Sequence, residues 1–531
     1  MRLAWFSPLP PVHSGICAYS VDALQGLVAH HQVHLFVDDP VWHAAGGRLH
    51  AGQGPFIVPL PGPLGLPLYR AFDFPVRHEQ APYDLVVYQL GNAACHRYMW
   101  PYLLEWPGLV VLHDAALHHA RAQALLADRR ADDHRAEFRF NHPGVDPRVA
   151  DFVVAGLQGS PYYLWPMLRT VLSRARAVAV HGAPLRARLA EEFPDTPFTT
   201  ISMGVPDPWE NAERSTPNAE RSGTGNRQPA SGANAERGTQ NAEGQPGTRP
   251  AAALRAGSEN RPYLPHEAAA LSTARDRTSK AEDRPTRAVV LSAFGLITPE
   301  KRILPILRAL AAIRDEAPHA RLRLVGEIGE HYALWQDVAR TGTRDLVEVT
   351  GYVDDDTLAA ELRAADVCLC LRWPTAHETS ASWLRCLAAG KPTIVPDQLT
   401  AVSVPTLDPR HWQLKHTRDD AASVFQPPDA SRAVAVSVEL NDEEAMLRQA
   451  LRRLVADPEL RATLGRRARE WWEAHHTVAR MHREYLAALD WATAQPAPDW
   501  PADAPPHLRP DPSSWARGLA APFGVEVDIL R

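Results

Sequence analysis

Three things are scarce or missing in this chain of 531 residues, and each excludes a class of protein. No apolar run approaches the ~20 residues that a membrane-spanning helix needs, so we expect at most peripheral contact with a membrane. The chain has no basic excess, because its formal net charge is -6. This argues against nucleic acid, or an anionic membrane, as the main partner. The first eight residues are broken by proline too early for a signal peptide.

Cysteine is also scarce. The chain has five, which are Cys17, Cys95, Cys368, Cys370 and Cys386. An odd, scattered set indicates a reducing compartment, and a cytoplasmic location is expected. Cys368 and Cys370 point to one side of a predicted strand, as a metal pair would, but no second pair matches them. Their expected role is buried packing, and no metal site is predicted.

What the chain does contain is an alternation of apolar runs of strand length with helical patterns. It begins at Arg2 and restarts at Arg287, and the hydrophobic content of 45% and charged content of 22% are those of globular proteins. Strands that alternate with helices form parallel sheets. We therefore predict an α/β protein with two Rossmann-like domains, at 1–206 and 287–470.

The two predicted domains are separated by residues 207–286, whose composition differs from the rest. The tetrapeptide Asn-Ala-Glu-Arg at Asn211 recurs at Asn218 and Asn234, and large apolar side chains are nearly absent. Such a segment cannot bury enough apolar surface to offset its chain entropy, so disorder is predicted. We interpret it as a tolerated insertion in an exposed connection, with a partner-binding segment as the alternative.

The most informative stretch, 368–396, has a strand–loop–helix–strand pattern. Glu378 lies in the loop, and Thr379 or Ser380 can cap the helix. In open parallel sheets, ligands bind outside the carboxyl ends of the strands, where a helix N-terminus attracts phosphate or hydroxyl-rich groups. Glu378 is therefore a candidate acceptor for sugar hydroxyls. The alternative is that it only neutralises the helix dipole.

Polar residues follow two other predicted strands. His113 and Asp114 come directly after 108–112, and a histidine beside a carboxylate can bind a sugar hydroxyl or assist proton movement. The alternative is a histidine that satisfies its own hydrogen bonds at a strand end.

Lys301 and Arg302 precede a helix, where the dipole and a cation together suit a diphosphate. A solvated basic pair is the alternative, above all for Arg302.

Four more candidate residues, three of them glycines, lie before a predicted helix or after predicted strands. Gly15 precedes the first helix, where a missing side chain allows a ligand close to the backbone, although an ordinary turn is the alternative. Gly295, Gly326 and Glu327 follow strands of the second predicted domain and are assigned with them to ligand binding.

The segment Leu-Ala-Ala-Gly-Lys-Pro that ends at Pro392 resembles the signature of the retaining GT-B glycosyltransferases of family 4, which reads Glu-x7-Glu and then Ala-x-Ala-x-Gly-x-Pro. When the two are aligned on Gly390 and Pro392, Arg385 stands where the family has a second glutamate that holds the donor ribose. Glu378 lies one residue from the first glutamate. Another motif, Gly-Arg-x4-Lys-Gly, matches at Lys301 but has Leu296 in place of arginine.

This resemblance implies a GT-B fold, in which two Rossmann-like domains face a central cleft. It implies transfer of a sugar from a nucleotide-diphosphate sugar to a glycan, a lipid-linked or a small-molecule acceptor, with retention and with no metal cofactor. Segment 471–492 is expected to be a helix that crosses back to the first domain, and 493–531 a loosely held proline-rich tail.

The residues assigned to the site fall into two groups. The catalytic group is His113, Asp114, Lys301 and Glu378. The donor-binding group is Gly15, Gly295, Lys301, Arg302, Gly326, Glu327, Glu378, Thr379 and Ser380. Two other functions stay open on the same architecture, because a fold does not fix chemistry. They are a non-catalytic protein that binds a sugar nucleotide, and a phosphorylase or epimerase.

Overall fold

The structure is a computed structural model. It describes residues 1–12, 14–38, 64–157, 159–210, 287–375, 378–397, 404–415 and 432–509. These residues belong to one compact unit. The predicted disordered insertion, 207–286, lies outside the described residues from 211 onward, as does the part of the predicted tail after Arg509.

The amino-terminal half contains a sheet of seven parallel strands. Its order is β3-β2-β1-β4-β5-β6-β7. The strands are β1 (Arg2–Phe6), β2 (Gln32–Val37), β3 (Leu68–Arg70), β4 (Leu85–Leu90), β5 (Leu109–Leu112), β6 (Ala177–Val180) and β7 (Phe198–Thr200). Strands β4, β5 and β6 are buried throughout because helices cover both faces of such a sheet, which explains their unbroken apolar sequences.

The helices of this half are unevenly distributed. They are α1 (Gly15–Leu27), α2 (Phe74–Gln80), α3 (Met99–Glu105), α4 (His118–Ala127), α5 (Ala131–Asn141), α6 (Val149–Val154), α7 (Ser160–Leu164), α8 (Arg169–Leu172) and α9 (Ala183–Glu192). The connection between β5 and β6 holds α4 to α8, where a simple crossover needs only one helix.

The second half contains an eight-stranded sheet of order β10-β9-β8-β11-β12-β15-β13-β14, parallel except for the β13–β14 pair. The strands are β8 (Val289–Phe294), β9 (Ala320–Val325), β10 (Val347–Val349), β11 (Val367–Leu369), β12 (Thr393–Pro396), β13 (Thr406–Asp408), β14 (Gln413–Lys415) and β15 (Ala435–Val438). The helices are α10 (Ile303–Ala312), α11 (Leu334–Thr341), α12 (Asp355–Ala364), α13 (Ala381–Ala388), α14 (Glu443–Ala456), α15 (Pro458–His475) and α16 (Val478–Thr493).

The predicted α/β architecture with two Rossmann-like domains is confirmed. In each sheet the strand order reverses near the middle, between β1 and β4 in the first sheet and between β8 and β11 in the second. Loops at the carboxyl ends of the strands diverge at such a reversal and leave a crevice for ligands. None of the helices in the described ranges is long and apolar enough to cross a bilayer.

The end of the chain returns to the first domain. Where the sequence pattern predicts one helix over 471–492, α15 ends at His475 and a new helix begins at Val478. Thr477 separates the two, because its side chain caps α16 by accepting a hydrogen bond from the N–H of Arg480 at 3.3 Å. Helix α16 then packs on α1, and Tyr485 buries its ring there beside Gln89 of β4.

The two segments that pass between the domains run side by side. The N–H of Val205 donates to the carbonyl of His476 at 3.0 Å, and the ring of His476 bonds to the carbonyl of Met203 at 3.2 Å. A side chain at Gly204 would lie 2.9 Å from Met481, so the backbones can approach only because this residue is glycine.

Residues 496–509 dock on the first domain, where composition predicts a loosely held tail. Asp503 accepts two hydrogen bonds from Arg169, at 2.8 and 3.1 Å. The guanidinium of Arg174 lies 4.3 Å above the ring of Trp500, and Leu508 is buried. These contacts tie the tail to the helices inserted between β5 and β6.

Candidate active site

The candidate site lies where two loops meet at the carboxyl edge of the second sheet. One loop follows β8 and carries Lys301, and the other follows β11 and carries Glu378. Strands β8 and β11 are neighbours in the sheet. The N–H of Trp373 in the second loop donates to the carbonyl of Glu300 in the first, at 2.7 Å. The structure therefore brings Lys301 and Glu378 together at one edge, on loops that are directly bonded.

Lys301 is held with its ammonium group pointing back toward the end of β8. Its Nζ donates to the carbonyl of Phe294. A side-chain carbon at Gly295 would lie 3.2 Å from this Nζ and 3.5 Å from the hydroxyl of Ser382 on α13. Burial lowers the pKa of Lys301 to about 8. An anion bound beside the ammonium group would therefore stabilise the charged form of Lys301, which burial disfavours.

The backbone requires glycine both at Gly295, in this loop, and at Gly326, directly after β9. Gly295 has φ +87° and Gly326 has φ +147°. A side chain on Gly326 would come within 2.3 Å of the carbonyl oxygen of Gly295. Glu327 contributes its carbonyl, which accepts from the N–H of Ile297 at 2.7 Å, while its side chain is exposed. The glycines thus permit the turn in which Lys301 is presented.

The amino end of α13 also faces this space. Ser380 caps the helix, since its hydroxyl accepts from the N–H of Trp383 at 3.3 Å. The hydroxyl of Thr379 lies 4.0 Å from the position that a side-chain carbon would take on Gly182 in the first domain. The first-turn N–H groups of α13 are thus near both domains, and they carry the positive end of the helix dipole.

Glu378 is buried, with 7% of its surface exposed, and two neighbours from its own loop fix it. Thr375 donates a hydrogen bond to one carboxylate oxygen at 2.9 Å, and Nε of Arg372 lies 3.4 Å from the other. A carboxylate held in this way can accept hydrogen bonds from hydroxyl groups without first reorganising.

Arg372 connects the second domain to the first. It forms a hydrogen bond with Tyr163 of α7 and interacts electrostatically with Asp114, which follows β5. Desolvation opposes its charge, but Glu378, Tyr163 and Asp114 outweigh this effect and raise the pKa of Arg372.

Asp114 is the carboxylate of the first domain that faces this arginine. One of its oxygens accepts from the N–H of Asn92 at 2.7 Å. Burial raises the pKa of Asp114, and the nearby negative charge of Glu378 raises it further. Two carboxylates, one from each domain, therefore interact with Arg372. No three His, Cys, Asp or Glu side chains are arranged to hold a metal ion in the described part of the chain.

His113 has a different environment from the one expected of a sugar-binding side chain. Its Nε2 bonds to Gln89 at 2.9 Å, and its Nδ1 bonds to His181 at 3.0 Å. Burial lowers the pKa of His113 well below its ordinary value, so the ring is neutral. Both ring nitrogens of His113 are thus hydrogen-bonded within the protein, as in the alternative of a histidine satisfied at a strand end, and its assignment to the catalytic group stays a prediction.

Two more of the predicted residues lie apart from this group. Arg302, with φ +58°, is paired bidentately with Glu443 at the start of α14, with distances of 3.0 Å from Nε to both carboxylate oxygens. This pairing already compensates its charge. Gly15 is the first residue of α1 and is exposed, and a side-chain carbon placed on it would have no atom within 4 Å, so the space in front of it is open.

Arg385, the departure from the family signature, lies one helical turn after Ser382 on α13. Its guanidinium is 3.6 Å from Asp355, the first residue of α12. It also interacts electrostatically with Asp22 of α1, whose pKa burial raises to about 6. Arg385 is thus placed between carboxylates of both domains.

Sequence reasoning missed Arg372, Tyr163 and Ser382. A signal existed for Arg372, which follows an apolar run of strand length as Asp114 does. None existed for Tyr163, because only the way in which the domains face each other brings α7 to the second domain.

Comparison with known proteins agrees with this architecture. Residues 288–407 match the family described as Glycosyl transferases group 1. No curated protein matches the chain in sequence. Sucrose-phosphate synthase from Thermosynechococcus elongatus shares the fold, with a TM-score of 0.51 and 14% identity over 93% of this chain and 99% of that chain.

Two other solved structures are similar at lower scores. HepE from Anabaena, in complex with UDP-glucose, has a TM-score of 0.49 and 11% identity over 92% of this chain and 100% of that chain. WaaG, a glycosyltransferase involved in lipopolysaccharide biosynthesis, has a TM-score of 0.48 and 12% identity over 93% and 100%. The chain has the GT-B fold, and its residues 288–407 are similar to the Glycosyl transferases group 1 family.

Proposed function

We propose that this protein is a glycosyltransferase that moves a hexosyl group from a nucleoside diphosphate sugar to an acceptor held mainly by the first domain, with retention at the anomeric carbon. The observation that supports the proposal best is the hydrogen bond from Trp373 to Glu300, at 2.7 Å. It joins the loop that carries a cation to the loop that carries a buried carboxylate, and a nucleoside diphosphate sugar needs both.

The leaving diphosphate would be bound by Lys301 and by the first turn of α13. Negative charge develops on the diphosphate as its bond to the sugar breaks, so groups that are already aimed at that position lower the barrier. The Lys301 ammonium group and the hydroxyl of Ser382, in the first turn of α13, both lie beside Gly295. Arg372 adds a second positive charge close to Lys301.

The donor sugar would be bound by Glu378. Its carboxylate is oriented by Thr375 and Arg372, and it accepts hydrogen bonds from sugar hydroxyls. Orientation matters here because a bound sugar must present its anomeric carbon to the acceptor, and a misplacement of ~1 Å can cost ~100-fold in rate.

The acceptor hydroxyl would approach from the first domain. Asp114 faces Arg372 and Glu378 from that side, and its raised pKa suits a group that takes up a proton from an attacking hydroxyl. Tyr163, also in the first domain, forms a hydrogen bond with Arg372.

A second candidate is a protein that binds a sugar nucleotide without turning it over. Arg385 supports it, because this arginine replaces the signature's second carboxylate and is positioned between Asp355 and Asp22. The two candidates share the donor site and differ only in the fate of the bound donor.

A screen of nucleotide sugars by thermal shift would identify the donor, since a ligand at ~100 times its dissociation constant stabilises a protein by ~2.7 kcal/mol. Release of nucleoside diphosphate from that donor, with and without candidate acceptors, then tests the reaction. Release that depends on an acceptor supports the transferase. A donor-induced shift with no release supports the binding protein.

The phosphate role of Lys301 has a matched control in Lys391. Both lysines belong to the second domain, and burial lowers the pKa of each. The Nζ of each also donates to a backbone carbonyl, which for Lys391 is that of Arg363, at 2.7 Å. Lys391 precedes β12 and so lies at the opposite edge of the sheet. Lys301→Met should abolish release and most of the donor-induced shift, and Lys391→Met should retain both. Unchanged donor affinity in Lys301→Met would refute the phosphate role.

A further inference from the structure

Three of the five cysteines meet directly beneath the candidate site. Cys370 follows the last residue of β11, and its Sγ lies 3.8 Å from Sγ of Cys386 on α13. Cys386 also contacts Cys368, which lies in β11. Cys368 and Cys386 are fully buried, whereas Cys370 is half-buried. The cluster joins the strand that leads into the Arg372–Glu378 loop to the helix that carries Ser380 and Ser382.

The cluster lies next to a positive charge. Both Cys370 and Cys386 lie close enough to the ammonium group of Lys301 for an electrostatic interaction. Thiols react with peroxides as thiolates, and a neighbouring cation stabilises the thiolate. Cys370 is the more accessible of the pair, and Cys386 is kept as a protonated thiol because burial raises its pKa.

We propose that Cys370 and Cys386 form a peroxide-sensitive dithiol that closes to a disulfide and switches off the site above it. The sulfur of Cys370 attacks one oxygen of hydrogen peroxide, the O–O bond breaks, and the leaving hydroxide takes up a proton to become water. The product is a sulfenic acid on Cys370. The sulfur of Cys386 then gives up its proton and attacks the sulfenic sulfur, the S–O bond breaks, and a second water leaves. Two thiols are oxidised by two electrons, and one peroxide is reduced to two waters.

Closure requires movement at the site. A disulfide holds its sulfur atoms about 2.05 Å apart, so the present 3.8 Å separation must shrink. Cys370 is two residues before Arg372, and Cys386 is one helical turn after Ser382, on the same face of α13. The bond would therefore shift groups on both sides of Lys301. This consequence for turnover rests on the proposed function, whereas formation of the disulfide does not.

The experiment treats the full-length protein with hydrogen peroxide, then alkylates it, digests it and maps its disulfides by mass spectrometry. We expect a Cys370–Cys386 disulfide and at least about a tenfold loss of acceptor-dependent nucleoside diphosphate release, both reversed by dithiothreitol. Cys370→Ser should resist inactivation by peroxide. Cys17→Ser and Cys368→Ser leave the pair intact and should stay sensitive. Melting curves of the untreated variants identify any that fail to fold, and Cys386→Ser provides a second test from the other side of the bond.

The outcomes separate the two proposals. A map without the Cys370–Cys386 disulfide, or inactivation of Cys370→Ser at the rate of the unchanged protein, overturns the dithiol. A disulfide that forms while the donor-induced thermal shift and the release of nucleoside diphosphate are unchanged overturns its control of the site. Absence of turnover in the fully reduced protein counts against the transferase alone, because the disulfide map is read without any activity.

Discussion

The N–H of Trp373 donates to the carbonyl oxygen of Glu300 at 2.7 Å, and this hydrogen bond joins the loops after β8 and β11. Lys301 follows Glu300 directly, and Arg372 precedes Trp373. Two cations from different loops are therefore kept close to each other at the carboxyl edge of the sheet, although like charges repel. This spacing is stable because Glu378 and Asp114 face Arg372.

Arg372→Ala should lower turnover by about 100-fold or more with little change in the melting temperature. The arginine orients Glu378 and is bonded to Tyr163, yet about half of its side chain is exposed, so its removal leaves no large cavity. Arg452→Ala is the control, because Arg452 is equally exposed (48% against 47%) and is ion-paired with Glu316 on another surface of the domain. Equal activity in the two variants would remove Arg372 from the site.

Donor affinity should fall as the pH rises through about 8. The pKa of Lys301 is lowered to about 8 in the free protein, and a bound diphosphate would raise it by stabilising the ammonium. Binding is therefore strongest below pH 8, where Lys301 is already protonated, and weakens by up to about tenfold per pH unit above it. Calorimetry with the nucleoside diphosphate of the donor, from pH 7 to 9, measures this slope. Lys301→Arg, whose guanidinium stays charged, should give a flat profile, and a flat profile in the unchanged protein would contradict the assignment.

Residues 211–286 should be removable without loss of the fold. The described chain on both sides is anchored at one place, because the carbonyl of Pro208 accepts from Arg363 at 2.5 Å and Arg287 is 3.4 Å from Asp366. Replacing the segment by a Gly/Ser linker of about 15 residues should leave the free energy of unfolding unchanged or raise it by up to about 1.5 kcal/mol, because loop closure costs less in a shorter loop. Urea unfolding measures this difference, and a marked destabilisation would show that the segment contributes to the fold.

The docked part of the tail should contribute measurably to stability. Truncation after Gln495 removes the Asp503–Arg169 bonds, the stacking of Trp500 on Arg174 and the burial of Leu508. We expect a loss of about 2–4 kcal/mol in the free energy of unfolding, since a buried leucine alone contributes about 1.5–3. Truncation after Arg509 keeps these contacts and is the control. Equal unfolding midpoints for the two truncations would contradict the prediction.

The sequence located the loops better than it located the side chains that complete the site. Asp114 could be predicted because it directly follows an apolar strand at the ligand-binding edge of a parallel sheet, and Lys301 and Glu378 because they precede helices at that edge. His113 also directly follows an apolar strand. Its hydrogen bonds, however, depend on Gln89 of β4 and on His181 after β6, and no local pattern reveals those partners.

Contacts between segments that are distant in sequence were harder to predict. Tyr163 reaches Arg372 from the helices between β5 and β6, and Cys386 reaches Cys370 from a helix 16 residues along the chain. The alternation of apolar and polar residues describes which face of an element is buried, but it does not say what that face meets.

The paired crossing at Val205 and His476 determines how the cleft can open. The two segments are bonded side by side, and α16 is fixed to α1, so both passages between the domains bend at neighbouring points. We expect such a hinge to permit a swing about one axis and to resist sliding. In that swing Lys301, Arg372 and Glu378 travel as a single block, while Asp114 and Tyr163 remain behind with the first domain. The bond between Arg372 and Tyr163 joins the two domains, so we expect each opening to break it and each closing to remake it.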